Sequence, residues 1–312
     1  MPLTATLLKE TAHDMGFQAC GIARAASIDS NVLGLERWLE QQQNGNMEYM
    51  RRHVSMRHDP SILYPGARSV VSLIVAYKPS QQMHGKRRIA MYAYGEDYHT
   101  HIKAMLYRLV ETLQVADPQF EAKVCVDTAP LAEKYWAVQA GLGWIGRNTL
   151  LVNPDYGSLC LLGELVTSYE FDHYDSPMTS RCGDCRRCVD ACPNQALHYD
   201  HQQLQATRCT SYHTIENRDS RLPESLHTRG YVFGCDCCQN VCPYNQQAPV
   251  SIVLTDEQLE ALEMLTVSDE RQFRKQTRHR ALNRINYSQW QRNLAKGEDD
   301  MKAPQPHNNP SR

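Results

Sequence analysis

The chain has 312 residues, of which 42% are hydrophobic and 22% are charged, and its formal net charge is -2 at pH 7. This length and apolar content predict one large or two modest globular domains, and the small net charge gives no global nucleic-acid signature. No apolar run indicates a secretory signal or a membrane span, so a cytoplasmic protein without membrane contact is expected.

Residues 1–172 alternate between helical and strand patterns. Apolar residues return every three or four positions in "TATLLKETAHDMGF", "NVLGLERWLEQQQ" and "YHTHIKAMLYRLVETLQ", which predicts helices. The runs "SVVSLIVAY" and "AKVCVD" are almost continuously apolar, which is typical of interior strands in a covered sheet. A further helix is predicted in "TAPLAEKYWAVQAGLG", with Thr128 as its cap and Gly141 and Gly143 at its end. The pattern predicts an α/β or α+β domain.

The composition changes after this first domain. Residues 173–250 are rich in Cys, Pro and Asn and contain too few apolar residues for a core, which predicts a small metal-stabilised module. Residues 251–296 are predicted to be helical, and the polar, Pro-rich residues 297–312 to be a disordered tail. The helical segment carries a basic stretch that is either a phosphate-binding face or a solvated helix face. Its members are Arg271, Arg274, Lys275, Arg278, Arg280 and Arg284.

Nine of the twelve cysteines lie from Cys182 to Cys242. In a chain without an export signal, such clustering indicates metal or redox chemistry rather than disulfides. The first run fits C-x2-C-x2-C-x3-C-P, the ferredoxin spacing in which three cysteines bind one 4Fe-4S cluster and the fourth binds another. The second run, C-x2-C-x3-C-P, lacks its first member, and Cys209 can fill that position.

Crossed pairing of this kind assigns eight ligands to two 4Fe-4S clusters. The first cluster is predicted to bind Cys182, Cys185, Cys188 and Cys242, and the second to bind Cys192, Cys209, Cys235 and Cys238. Structural zinc is the alternative, because C-x2-C pairs also bind zinc, but two Cys-Pro endings with matching gaps favour iron-sulfur. Cys237 fits neither cluster, and three further cysteines in apolar stretches are interpreted as core residues: Cys20, Cys125 and Cys160.

Several motifs that occur in one order resemble the epoxyqueuosine reductase family. They are "YPGARSVVSLIVAY", "YAYGEDYH", "VDTAPLAEKYWAVQAGLGWIGRNTLLVNPDYGS", "CTSYHTIE" and "GCDCCQNVCPYN", and the likeness spans about residues 10–295. The resemblance implies a fold like that of reductive dehalogenases, with cobalamin in the N-terminal domain beside a ferredoxin-like domain. It also implies reduction of epoxyqueuosine to queuosine at the tRNA wobble position, the last step of queuosine biosynthesis. The chain resembles a short form of the family, without C-terminal helical repeats.

The same resemblance implies roles for individual residues. The proton donor is expected to be Asp127. Burial of this residue after an apolar strand would raise its pKa. Helix capping is the alternative role of Asp127. Residues expected to line the cobalamin pocket are Tyr98, His99, Arg147, Ser211, Cys237 and Cys238. The sequence contains no D-x-H-x-x-G cobalamin signature and no G-K-S/T loop.

The expected reaction also defines partners. One-electron clusters must feed a two-electron centre, which low-valent cobalt provides, so an external low-potential electron donor is expected. The other partner is tRNA carrying epoxyqueuosine, whose extruded base would reach the cobalt, and the chain is expected to be a monomer. Candidate phosphate contacts are Arg51, Arg52, Arg57, Lys86, Arg87 and Arg88. The alternatives are a reductive dehalogenase and a ferredoxin-like electron carrier with a structural N-terminal domain.

Overall fold

A computed structural model describes residues 3–84, 87–199, 203–251, 253–265 and 267–302. The strands are β1 Ala19–Arg24, β2 Ser69–Ala76, β3 Arg88–Ile89, β4 Ala122–Cys125, β5 Trp144–Ile145, β6 Leu151–Val152, β7 Cys160–Thr167 and β8 Tyr231–Phe233. The helices are α1 Ala5–Asp14, α2 Ser30–Leu33, α3 Leu35–Glu40, α4 Val54–His58, α5 Pro60–Leu63, α6 Tyr98–Ala116, α7 Glu133–Gln139, α8 Arg187–Asp190, α9 Thr210–Ile215, α10 Cys237–Asn240, α11 Pro243–Gln247, α12 Asp256–Glu263, α13 Glu270–Thr277 and α14 Tyr287–Lys302.

The main sheet has the strand order β1-β2-β7-β4, and each neighbouring pair is antiparallel. Every residue of β2 is buried, as its continuous apolar run predicts for an interior strand. The matching prediction for "AKVCVD" is wrong, because among the described strands β4 pairs only with β7 and forms an edge of the sheet with partly exposed residues. Two short ladders, β3-β8 and β5-β6, lie outside this sheet.

Helices cover both faces of the sheet. Because side chains alternate along a strand, Val71 and Leu73 of β2 face one side and Val70 and Ile74 face the other. The first side packs against α1 and α6 through a core that includes Leu106, and the second packs against α7. The long helix α6 confirms the helical pattern predicted there, and its cap residue Asp97 accepts a hydrogen bond from a first-turn N–H. The predicted helical "NVLGLERWLEQQQ" is divided at Gly34, which has a φ of +61°.

The helix predicted to start at Thr128 instead starts at Glu133, and Thr128 does not cap it. The N–H of Thr128 donates to the carbonyl of Val126, and the N–H of Leu131 donates to that of Ala129, so residues 126–132 form tight turns before the helix. Extra residues are thereby left in a loop at the end of β4. The predicted disordered tail is also wrong at its start, because α14 continues to Lys302; residues 303–312 lie outside the described residues.

A second core joins distant parts of the chain. Tyr94 and Phe233 pack in one cluster with Leu262, Phe273 and Trp290 from the C-terminal helices. The predicted domain boundaries stay a prediction, and this core contains residues from all three of the predicted ordered segments. Within the described ranges, no helix combines the length and the apolar character that crossing a membrane would require.

Candidate active site

Asp127 lies in a tight turn just after β4. Its φ is +50°, in the left-handed region, and the flanking N–H of Thr128 lies 2.5 Å from the carbonyl oxygen of Val126. A three-residue turn with positive φ at its centre is strained, although Asp tolerates this conformation better than most residues. The side chain is 58% exposed, so its carboxylate is open to a substrate.

His99 connects two carboxylates. Its Nε2 lies 3.1 Å from Oδ2 of Asp127, and its Nδ1 lies 2.7 Å from Oδ1 of Asp97. Asp97 also accepts a hydrogen bond from the backbone N–H of His99, which fixes the position of the ring at the start of α6. An imidazole with an acceptor at each nitrogen is best satisfied when both nitrogens carry a proton.

The charges of this pair follow from those contacts. Burial lowers the pKa of His99, but hydrogen bonds to Asp127 and Asp97 outweigh burial and raise it. The hydrogen bond from His99 holds the pKa of Asp127 below its usual value, against a smaller opposing effect of burial. The expectation that burial raises the pKa of Asp127 is therefore wrong, because His99 approaches from a different element. The role of Asp127 as proton donor stays a prediction.

Aromatic rings extend from this pair toward the cysteine-rich module. Tyr98 stacks on His99 with ring centroids 4.1 Å apart, and Tyr92 meets Tyr98 edge-on at 5.8 Å. On its other side, Tyr92 lies 6.1 Å from Phe233, at the end of β8. Cys235 follows Phe233 by two residues. A continuous row of ring contacts therefore leads from the Asp127 turn to the second cysteine run.

The structure brings four cysteines of the first predicted set to one cavity of about 330 Å³: Cys182, Cys185, Cys188 and Cys242. Burial and the three neighbouring thiols raise the pKa of Cys188 to about 11. Cys242 belongs to the second cysteine run in the sequence, so its presence here matches the crossed pairing. Its role as a cluster ligand stays a prediction.

The second predicted set also comes together. Burial, followed by the nearby thiols of Cys209 and Cys192, raises the pKa of Cys238 well above its usual value. The pKa of Cys235 is raised by a hydrogen bond with Cys237, by burial and by its thiol neighbours. Cys237 therefore adds a fifth thiol to this group.

The sulfur environment fits iron-sulfur chemistry. The indole Nε1 of Trp144 lies 3.4 Å from Sγ of Cys182, and the backbone N–H of Ala196 donates to Sγ of Cys192 across 3.2 Å. N–H donors aimed at cysteine sulfur stabilise the negative charge of a cluster and tune its potential. Among the described residues, no three His, Cys, Asp or Glu side chains form a group suited to a single metal ion.

Two predicted cobalamin contacts have clear positions. The guanidinium of Arg147 donates to the carbonyls of Tyr199 and Gly183, lies 4.0 Å above the Tyr199 ring and lines the cavity of the first cysteine group. Ser211 is half-buried in the first turn of α9, two residues after Cys209. Whether either residue contacts cobalamin stays a prediction.

A basic and aromatic rim lies beside Asp127. Arg284 makes two hydrogen bonds to the carboxylate of Glu216, at 3.0 and 2.9 Å, and its guanidinium lies 5.7 Å from the ring of Tyr49. The positive charge of Arg284 also lowers the pKa of Asp127, by less than the hydrogen bonds from His99 and Tyr98 do. Arg57 lies near the same carboxylate. Burial lowers the pKa of Arg57, and the negative charge of Asp127 acts in the opposite direction.

The other basic residues considered for tRNA differ in availability. Arg52 is exposed, whereas Arg51 is bound to Glu48 and to the carbonyl of Leu39. Arg87 donates to the carbonyls of Leu265 and Glu263, and Arg88 lies 4.3 Å from the Tyr231 ring. Lys86 lies outside the described residues.

Comparison with known proteins identifies the family. The family model "Epoxyqueuosine reductase QueG, DUF1730" matches residues 57–128, and "4Fe-4S double cluster binding domain" matches residues 181–245. A relative from Cyclobacterium marinum, named epoxyqueuosine reductase, is 39% identical over 299 residues, covering 92% of this chain and 94% of its own length. This chain belongs to the epoxyqueuosine reductase family.

Solved structures of epoxyqueuosine reductases confirm the fold. The enzyme from Streptococcus thermophilus matches with a TM-score of 0.83 and 29% identity, covering 96% of this chain and 82% of its own. A second structure, of an epoxyqueuosine reductase with an epoxyqueuosine-modified tRNA-Tyr stem loop, matches with a TM-score of 0.78 and 28% identity over 95% of this chain and 80% of its own. A reductive dehalogenase matches more weakly, with a TM-score of 0.47 and 15% identity. The predicted mixed α/β fold with a double-cluster module is confirmed.

In this member of the epoxyqueuosine reductase family, sequence reasoning missed several residues around the Asp127 turn. Glu133 accepts a hydrogen bond from the backbone N–H of Asp127, and Glu164 is fully buried in β7. The available signal was a single acid in the otherwise apolar strand "CLLGELVT". Tyr92 stood in the quoted motif "YAYGEDYH", but only the structure shows that it connects Tyr98 to Phe233.

Proposed function

We propose that this chain reduces epoxyqueuosine to queuosine at wobble position 34 of tRNA, as the last step of queuosine biosynthesis. The observation that carries the proposal is the Asp127–His99 pair, held at an open turn and connected through aromatic rings to grouped cysteines. Membership of the epoxyqueuosine reductase family supports it. The related structure with an epoxyqueuosine-modified tRNA stem loop supports tRNA as the substrate.

The reaction requires both electrons and protons. Removing the epoxide oxygen breaks two carbon–oxygen bonds, forms one carbon–carbon double bond, and releases water after two electrons and two protons are consumed. The electrons come from an external low-potential donor. Protonation of the departing oxygen lowers the barrier, because an alkoxide is a poor leaving group at neutral pH.

The proton source we propose is the Asp127–His99 pair. His99 carries a proton on Nε2 that it shares with Oδ2 of Asp127, and Asp97 stabilises the resulting imidazolium through Nδ1. Asp127 is the more exposed partner and so is the group that contacts the epoxide oxygen. His99 then supplies one of the two protons, which Asp127 delivers, and solvent supplies the second. This division of roles explains how an aspartate with a low pKa can serve in acid catalysis.

We propose that two 4Fe-4S clusters are held by the two cysteine groups, in the crossed assignment given above. Cobalamin, when bound, would supply a cobalt centre that accepts single electrons and delivers two. Tyr98, Ser211 and the Cys237–Cys238 step are the residues we assign to its pocket. Both nitrogens of His99 are engaged by carboxylates, so we do not assign His99 to the residues that would hold cobalamin.

For tRNA binding we assign the rim of Tyr49, Arg57 and Arg284 beside Asp127, because arginines bind phosphates and exposed aromatic rings stack on extruded bases. Tyr49 is 40% exposed, so part of its ring is accessible beside Arg284. We further propose that the enzyme works in the cytoplasm, where its tRNA substrate is found, and that it acts as a monomer.

The test uses anaerobically purified chain, cobalamin, a low-potential reductant and tRNA that carries epoxyqueuosine. Nucleoside mass analysis should show loss of one oxygen atom from the modified base. Omitting cobalamin or the reductant provides the control. A preparation with intact clusters and bound cobalamin that leaves epoxyqueuosine unchanged would disprove the proposed activity.

A further inference from the structure

Glu133 holds the turn that carries Asp127. Its Oε1 accepts a hydrogen bond from the backbone N–H of Asp127 across 2.5 Å. The turn has positive φ at Asp127, and an isolated turn of this kind relaxes readily to other conformations. A carboxylate that accepts the central N–H favours the conformation seen here over its alternatives.

Glu164 lies behind Glu133 in the middle of the sheet. It is fully buried on β7, and its register partners are Ser72 of β2 and Cys125 of β4. No hydrogen bond of good geometry reaches either carboxyl oxygen of Glu164 among the described residues. A buried carboxyl group is costly, so its presence in an apolar strand calls for a polar neighbour, which here is Glu133.

The two glutamates influence each other directly. Burial, then the charge of Asp127, raises the pKa of Glu133 to about 7. Burial and the proximity of Glu133 raise the pKa of Glu164 well above its usual value, so Glu164 is neutral. A neutral carboxyl can donate a hydrogen bond to its neighbour, which leaves Glu133 as the acceptor for the Asp127 turn. Arg57 is the cation that favours the ionised form of Glu133.

We propose that Glu133 is a positioning residue for the reaction, which fixes the Asp127 turn through its backbone N–H, and that the buried Glu164 keeps Glu133 in place. This inference rests on the proposed function. It differs from the roles of Asp127 and His99, because Glu133 acts on the backbone and needs no contact with the substrate. The property that matters is a hydrogen-bond acceptor at Oε1, and either glutamate or glutamine supplies one.

The test compares Glu133→Ala with Glu133→Gln in the anaerobic holoenzyme. Small displacements of a catalytic group cost up to about 100-fold in rate, so Glu133→Ala should lower kcat roughly 10- to 100-fold with little change in KM for tRNA. Glu133→Gln should restore most of that loss, because its amide oxygen can accept the same N–H. Hydrogen exchange of residues 126–131 should accelerate in the alanine variant and return toward the wild-type rate in the glutamine variant.

Two further variants sharpen the result. Glu164→Leu, which fills the space but removes the carboxyl, should shift both readouts in the direction of Glu133→Ala. Glu111→Ala changes an exposed glutamate on α6 and should shift neither. Unchanged exchange and kcat in Glu133→Ala would overturn the proposal. So would a glutamine variant as slow as the alanine variant with wild-type exchange, because the carboxyl proton and not the acceptor would then matter.

These readouts separate this inference from the proposed function. If the wild-type protein leaves epoxyqueuosine unchanged, the function fails, but the exchange rates of residues 126–131 still report whether Glu133 fixes the turn. If the wild-type protein is active and exchange does not respond to Glu133→Ala, the function stands and the positioning role fails.

Discussion

The indole Nε1 of Trp144 lies 3.4 Å from Sγ of Cys182, across the boundary between the predicted catalytic domain and the cysteine-rich module. The Trp144 ring is itself held edge-on against Tyr244 at 5.0 Å. An N–H donor to a cluster ligand stabilises the more negative, reduced state. This contact therefore gives the N-terminal domain a means to set the potential of the cluster that we propose for Cys182.

We expect Trp144→Phe to lower the potential of one cluster. A hydrogen bond of this kind is worth about 1.4 kcal/mol, which corresponds to roughly 60 mV for a one-electron couple. Redox titration followed by electron paramagnetic resonance measures the shift. Trp136→Phe is the matched control, because the Trp136 indole nitrogen is buried without a hydrogen-bond partner among the described residues. Equal potentials in wild type and Trp144→Phe would exclude the tuning role.

Asp127→Asn should retain iron and cobalamin but lose most turnover. The amide preserves the shape of the side chain and can accept the His99 hydrogen bond, but it cannot take up and deliver the proton, and loss of a general acid costs about 100- to 10,000-fold. Single-turnover conversion of epoxyqueuosine in tRNA measures the loss. Asp14→Asn, at an aspartate whose side chain is 84% exposed, is the matched control. Full activity in Asp127→Asn would remove Asp127 from the acid role.

Cys209→Ser should damage the second cluster selectively. A missing thiolate destabilises the cube that it binds, so iron should fall by about four atoms per chain while the first cluster keeps its spectrum. Cys160→Ser changes a half-buried thiol on β7 that belongs to neither group, and it should retain all iron. Iron analysis with electron paramagnetic resonance checks both variants. Unchanged iron in Cys209→Ser would show that the crossed pairing is wrong.

The His99–Asp127 ion pair should make stability depend on pH. The pKa of His99 is raised by folding, so its contribution is complete below the ordinary histidine pKa of about 6.5 and is lost as pH rises through the raised value. The pKa of Asp127 is lowered, so its contribution is complete above the ordinary aspartate pKa of about 4 and is lost as pH falls through the lowered value. The pair therefore stabilises most between about pH 4 and 6.5.

His99→Gln should consequently lower the free energy of unfolding most within that window. The Asp127 side chain is more than half exposed, so we expect an effect below about 1 kcal/mol. Urea denaturation at several pH values, under anaerobic conditions, measures the difference from wild type. His101→Gln, at an exposed histidine of α6, should leave the profile unchanged. A difference that grows steadily from pH 6.5 to 9 would contradict the ion pair.

Local sequence patterns predicted much of this molecule. The spacing of Cys182, Cys185 and Cys188 constrains a short loop, so their proximity follows from the sequence and is seen in the structure. The continuous apolar run of β2 likewise predicted its interior position, because such a strand is stable only when both faces are covered. These features depend on residues that are close together in the chain.

Contacts between distant elements could not be predicted in the same way. His99 and Asp127 are 28 residues apart, and only the packing of α6 beside the end of β4 brings their side chains together. The direction of the Asp127 pKa depends on that contact, which is why burial alone predicted it wrongly. Glu164 was hidden for a similar reason, since its neighbour Glu133 belongs to α7 rather than to its own strand.

The core shared by Tyr94, Phe233, Phe273 and Trp290 has a consequence for biogenesis. A ribosome synthesises the Asp127 turn and every grouped cysteine before it reaches α13 and α14, whose side chains complete that core. Until those helices dock, Tyr94 and Phe233 lack the packing that Phe273 and Trp290 provide, and β8 lacks its contacts with α14. We therefore expect iron-sulfur loading to be completed after translation, on a chain whose last helices have already packed against β8.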